Sequence, residues 1–162
     1  MEFKSKLEYL AGEACRILFP IPVDVFKGSG SSVSVCTLSS LDLLIKIANS
    51  DLMNNLLIAG RLHSENKGID KMINFCINHP QLKFIILCGK DTAGHYPGHS
   101  LINLMKNGVD DRGKIVGSIS PSPFICSSSV DIEKFRKQVT LVDMRNCFDT
   151  EKISKTVCKT QS

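Results

Sequence analysis

Two apolar runs end in glycine, Asn55-Leu56-Leu57-Ile58-Ala59-Gly60 and Phe84-Ile85-Ile86-Leu87-Cys88-Gly89, and the segment between them has a helical period. Runs of this kind suit strands buried on both faces, and strands joined by a helical crossover lie parallel. The rest of the chain repeats the alternation. Ser32 to Leu38 alternates like a strand, and Ser39 or Ser40 is placed to cap a helix carrying Leu44, Ile47 and Ala48. Glu65 to Asn78 puts Ile69, Met72, Ile73 and Cys76 on one helical face. Ser100 to Lys106 predicts a further helix, ended by Asn107-Gly108. Asp110-Asp111-Arg112-Gly113 reads as a turn, and Lys114 to Gly117 as a short edge strand. Pro121 to Ser129 is a loop, Asp131 to Lys137 a short helix, Val139 to Asp143 a last strand, and the segment from Thr150 a closing helix. The pattern predicts an α/β fold, a three-layer Rossmann-like sandwich with a mostly parallel sheet.

Ahead of this region, Leu7, Leu10, Ala11, Ala14 and Ile17 recur at helical spacing, and Pro20 and Pro22 stop the pattern. Lys27 to Ser32 is rich in Gly and Ser and reads as a linker. The expected division is an N-terminal helix and linker over 1–28 and the main domain over 29–162.

A chain of 162 residues, 43% hydrophobic, is long enough for one domain with a real core. No apolar run is long enough to cross a bilayer, and no apolar segment follows the charged start as a secretory signal requires. The net charge of +4 comes from 20 Lys and Arg against 16 Asp and Glu, scattered without a basic stripe or interleaved aromatics, so no nucleic-acid partner is expected. The seven cysteines are odd in number and none is spaced C-x-x-C, which argues against a structural zinc site. They suit a reducing, cytoplasmic compartment. Gly28-Ser29-Gly30 precedes a strand instead of following one, and there is no Walker A motif, so nucleotide phosphate binding loses support.

Two loops that follow strands carry unusual polar content, and in a parallel sheet both open at the same edge. The first runs from Gly60 through Arg61-Leu62-His63-Ser64-Glu65-Asn66. The second, Lys90 to Pro97, sets His95 between Gly94 and Gly98. Glycines here remove side-chain bulk, so a large planar ligand can approach the backbone. Imidazole is the commonest metal ligand. The alternative is a loop or capping histidine bonded to backbone. His99 lies four residues on, but Pro97 places His95 outside the helix and off its face, so a zinc pair is not expected. Ser64 can cap the following helix and Glu65 suits its positive end; alternatively Glu65 accepts a hydrogen bond from a ligating histidine. Cys88 beside His95 is the outline of a nucleophile and base, without an identifiable third group.

At these loops the chain resembles the MtrA family, the corrinoid-carrying subunit of tetrahydromethanopterin S-methyltransferase. The resemblance rests on ordered blocks: Gly60 to Lys71 (Gly-x-x-x-Ser-Glu-Asn-x-Gly-Ile-Asp-Lys), Cys88 to Gly98 (Cys-Gly-x-x-x-x-Gly-His-x-x-Gly), and Asn107 to Asp110. Looser blocks follow at Ile115 to Gly117, Pro121 to Phe124, and Phe135 to Asp143. It implies cobalamin held on a Rossmann-type fold and a methyl group shuttled on cobalt. The methyl donor would be methyl-tetrahydromethanopterin or another molecule, and the acceptor a thiol such as coenzyme M. His95 would be the lower axial metal ligand. Gly60, Ser64, Glu65, Asn66, Gly89, Gly94, Gly98, Ser100, Pro123 and Phe124 would line the corrinoid. Many corrinoid proteins carry Asp-x-His-x-x-Gly; here Ala93 stands at the aspartate position, and Glu65 is the candidate carboxylate. The family's membrane-complex form carries a C-terminal anchor, whereas this sequence ends in a polar tail, so a stand-alone cytoplasmic form with partner methyltransferase proteins is expected. A non-enzymatic corrinoid-binding or regulatory module, and a Cys88/His95 hydrolase or transferase, are the competing functions.

Overall fold

The computed structural model describes residues 24–161. The helix expected over Lys6 to Leu18 lies outside the described residues. The order of elements is β1 (Val25–Lys27), β2 (Val33–Cys36), α1 (Leu41–Ala48), a 3-10 turn (Asp51–Asn55), β3 (Ile58–Gly60), α2 (Lys67–Asn78), β4 (Phe84–Gly89), α3 (Pro97–Asn107), α4 (Ser129–Gln138), β5 (Thr140–Arg145) and α5 (Thr150–Thr160). The five strands form one sheet in the order β1-β3-β2-β4-β5. Four run parallel, and only β1 pairs antiparallel, along the outer edge of β3. The expected α/β class with a mostly parallel sheet is the one observed.

β4 shows why the run from Phe84 had to be apolar throughout. Ile85 and Leu87 face one core, with Ile69 and Ile73 of α2, Leu101 and Leu104 of α3, and Ile132 and Phe135 of α4. Ile86 and Cys88 face the other, with Leu44 and Ile47 of α1, and Ile153 and Val157 of α5. Helices therefore cover both faces of the central strands, completing three layers. No helix among the described residues is long and apolar enough to cross a membrane.

Several boundaries differ from the sequence reading, each for a local reason. Lys27, read as linker, is the last residue of β1, a three-residue strand too short to show a period. The loop behind it is tied down, with Gly28 N donating to Leu57 O and Gly30 N to Leu56 O. β3 begins only at Ile58, because the chain before it is wound into the 3-10 turn. Lys114 to Gly117 is not a strand of the sheet: Val109–Ile115 and Lys114–Phe124 make isolated bridges that brace a loop. α4 starts at Ser129, two residues early, since Ser128 Oγ accepts from Asp131 N and caps it. Ser40 occupies the cap position of α1 without capping it; its hydroxyl accepts from Lys90 N.

β2 and β4 are neighbours, yet β2 leads through α1 to one side of the sheet and β4 leads through α3 and α4 to the other. A crevice opens outside the carboxyl ends of such strands, and α/β proteins bind ligands there. The loops after β3 and β4 meet at that edge.

Candidate functional site

β4 ends at Gly89, whose φ of +71° turns the chain. An added Cβ would stand 2.6 Å from both Ser40 Oγ and Thr37 O, so the turn admits glycine alone without rearrangement. The loop beyond it is folded around Asp91. The Asp91 carboxylate accepts from Gly98 N and His99 N at 2.9 Å each, and from Thr92 N at 3.0 Å. It thereby satisfies donors in the first turn of α3 and sets a negative charge at the positive helix end. Pro97 begins α3, where its missing N–H costs nothing.

This scaffold pushes His95 outward. Its side chain is 59% exposed, while its Nδ1 lies 3.0 Å from Glu65 Oε2 on the loop after β3. Glu65 itself is 1% exposed. Its second oxygen, Oε1, accepts from Ser122 N at 3.2 Å. An ionised carboxylate only accepts, so Nδ1 is the donor of this pair, and in the neutral imidazole Nε2 is then the nitrogen with the lone pair. No hydrogen bond occupies Nε2 among the described residues. The arrangement leaves one nitrogen of an exposed, carboxylate-held imidazole without a protein partner among the described residues.

A third loop clamps both partners. Ser120 Oγ donates to His95 O at 2.5 Å, and Ser100 Oγ bonds Ser120 Oγ at 2.6 Å and Ser118 Oγ at 2.7 Å. Asn66 Nδ2 donates to Ser122 O at 3.2 Å. Ser118, Ser120 and Ser122 thus tie one extended loop to His95 and to Glu65. Ser118 and Ser120 do not stand out in the sequence, although their alternate spacing is the pattern of a loop with one inward face. Asp91 is equally inconspicuous there, because it reaches donors seven and eight residues ahead, beyond any capping motif.

The other expected site residues divide by role. Ser64 accepts from Gly68 N inside the first turn of α2, and Asn66 holds the cap position. Ser100 is fully buried within the hydroxyl cluster. Gly60 closes β3, pairing with Cys36 and Val25. Pro123 is buried and accepts from Ile115 N, while Phe124 is exposed. Among the described glycines, only Gly94 has open space where a Cβ would stand; Gly98 backs onto Leu38 and Asp91. The room for a planar group therefore lies at Gly94, and Gly89 and Gly98 serve the loop's own packing.

Cys88 does not join this site. It is fully buried in the layer against α1 and α5, burial pushes its thiol well above the ordinary range, and no hydrogen bond links it to His95. A thiol held neutral is a poor nucleophile. His99 stands in the first turn of α3 with Asn103 Nδ2 3.3 Å from its ring nitrogens, and does not converge on His95. Among the described residues no three His, Cys, Asp or Glu side chains are grouped to hold a metal ion. One outward imidazole instead suits a metal that arrives with its remaining ligands in a macrocycle, beside a glycine that leaves room for the ring.

The family model MtrA, described as the A-subunit of tetrahydromethanopterin S-methyltransferase, matches residues 25–162. Curated relatives agree. The A-subunit of an Mtx methyltransferase from Methanosarcina acetivorans is 34% identical over 140 residues, covering 85% of this chain and 67% of the relative. The second tetrahydromethanopterin S-methyltransferase A-subunit of Methanothermobacter thermautotrophicus is 36% identical over 126 residues, 76% of this chain and 66% of the relative. The first A-subunit of the same organism is 40% identical over 98 residues, 59% of this chain and 41% of the relative. The chain thus spans from about two fifths to two thirds of the length of these relatives.

Proposed function

We propose, from the premise that this chain belongs to the MtrA family of tetrahydromethanopterin S-methyltransferase, that it is the corrinoid-binding methyl carrier of a methyltransferase system. The observation that carries the reading is the His95–Glu65 pair: an exposed imidazole whose inner nitrogen is held by a buried carboxylate. When bound, a cobalt corrinoid supplies a metal centre that relays a methyl group from a donor such as methyl-tetrahydromethanopterin to a thiol such as coenzyme M.

The chain's own residues that would hold that group are His95 and the loops around it. Glu65 fixes the tautomer and the ring plane of His95, and raises the basicity of Nε2, as outer carboxylates do for ligating imidazoles. Ser122 N donates to the other Glu65 oxygen, a second bond that favours this orientation of the carboxylate. Ser120 pins the His95 carbonyl. Gly94 leaves the ring room, and Asp91 keeps the loop attached to α3. Glu65 would take the part that an aspartate two residues before the histidine plays, and it reaches His95 from the loop after β3. Partner proteins of the methyltransferase system would bring the methyl donor and the thiol, as the relatives' description as one subunit of a methyltransferase suggests. A compartment that keeps the buried Cys36, Cys76 and Cys88 reduced suits the chain.

Reconstitution with hydroxocobalamin tests the proposal. The wild-type protein is expected to retain corrinoid through gel filtration and to shift its visible spectrum to that of a histidine-ligated form. His95→Ala is expected to lose the shift with an unchanged circular dichroism spectrum. A wild-type chain that retains no corrinoid under reducing or oxidising conditions contradicts it.

A further inference from the structure

On β2, Ser34 points to the same side of the sheet as Cys36, away from the Val33 and Val35 layer. It is 5% exposed, and its Oγ has no hydrogen-bond partner among the described residues. A native fold rarely leaves a buried hydroxyl idle. Ser34 lines a cleft of about 490 Å³ between the sheet and α2, walled by Ile58, Leu62, Met72, Phe75 and Ile85. That volume lies within the range that takes small molecules.

The mouth is not apolar. Lys67 and Lys71, one turn apart on α2, both line it, and neither has a carboxylate partner among the described residues. Arg61 also lines it but is bound to Asp24 through Nε at 2.7 Å. An apolar interior, one unused hydroxyl within and two unpaired ammonium groups at the rim describe the complement of an amphipathic anion. We propose that this cleft binds a small molecule with an apolar body, a hydrogen-bonding atom that reaches Ser34, and a carboxylate or phosphate head against Lys67 and Lys71. Its lining includes neither His95 nor Glu65, although it shares Gly60 and Ser64 with the residues expected to line the corrinoid, and the proposal stands whether or not a corrinoid binds.

Anilinonaphthalene sulfonate has this chemistry: fused apolar rings, one N–H and an anionic head. Titrated into the full chain, it is expected to brighten saturably with one equivalent bound. Decanoate and decyl phosphate are expected to displace it, and their relative potency tells a carboxylate site from a phosphate site. The exposed double substitution Lys67→Gln/Lys71→Gln is expected to weaken the probe by about fivefold or more, a typical scale for lost charge pairing. Ser34→Ala is expected to weaken it while leaving the urea midpoint unchanged or higher, since no bond is lost. His95→Ala is expected to leave it untouched. Absence of saturable binding overturns the proposal, as does binding that both the lysine pair and Ser34→Ala leave unaltered, or that His95→Ala removes.

Discussion

Replacing Glu65 with glutamine separates a carboxylate that prepares a ligand from one that merely fills space. Two N–H donors face Glu65, His95 Nδ1 at 3.0 Å from Oε2 and Ser122 N at 3.2 Å from Oε1. Glutamine keeps the shape but has a single acceptor oxygen, so one donor loses its partner. A buried donor left unmade costs about 1–3 kcal/mol, and the exposed imidazole can turn to water, which puts the loss of folding stability near about 1 kcal/mol. The effect on the corrinoid is expected to be larger. Removing the outer partner of a metal-bound histidine typically weakens binding about 10–100-fold, equivalent to about 1.4–2.7 kcal/mol. Urea unfolding of the free protein reads the first quantity, and a cobalamin titration followed in the visible reads the second. Affinity unchanged within about twofold, with the stability loss present, would refute the assignment of Glu65 as the histidine's orienting group.

Three further outcomes follow from the fold. Gly89→Ala forces a Cβ into a left-handed residue at 2.6 Å from Thr37 O, and is expected to cost about 2 kcal/mol or more in urea unfolding. Asp24 is raised by partial burial but brought net below its ordinary 3.8 by Arg61 and His63. The unfolded chain then binds the proton more readily, so the stability this carboxylate gives is complete above about pH 4 and fades as pH falls through the lowered value. The difference in urea midpoint between wild type and Asp24→Asn should therefore shrink on acidification; a constant difference counts against the pairing. Cys36 and Cys76, their thiols pushed up to about 12 by burial, and Cys88 are expected to resist iodoacetamide in the folded protein, whereas exposed Cys126 reacts; mass spectrometry of the digested protein reads each site.

Much of this architecture was legible because the central strands had to be apolar on both faces. The run from Phe84 to Gly89 announced β4 and, through its terminal glycine, the loop that bears His95. The Gly108 end of α3 was equally plain, since glycine acts locally, whereas the helix begins at Pro97, three residues before the Ser100 start read from the pattern. β1 was not legible: three residues on an edge carry no period, and β3 alone defines them. The clamp on His95 was hidden for the same kind of reason. Ser118, Ser120 and Ser122 look like ordinary loop residues, and their role comes from a fold-back across about two dozen residues to His95 and more than fifty to Glu65. For Gly89, Gly94 and Gly98 the pattern shows where a side chain is missing but not which way it would have pointed, which only the fold gives. Glu65 was readable as two things, a helix-end charge or a histidine partner, and only the meeting of two loops at one sheet edge separates them.

The most direct measurement is the electron paramagnetic resonance spectrum of the protein reconstituted with cobalamin and reduced to the cobalt(II) state, prepared with ordinary and with nitrogen-15 histidine. If His95 Nε2 is the axial ligand, the superhyperfine lines change from triplets to doublets on labelling, and His95→Ala shows neither protein-derived pattern. Triplets that persist in the labelled protein would assign the axial nitrogen to something other than histidine and contradict the role given to His95.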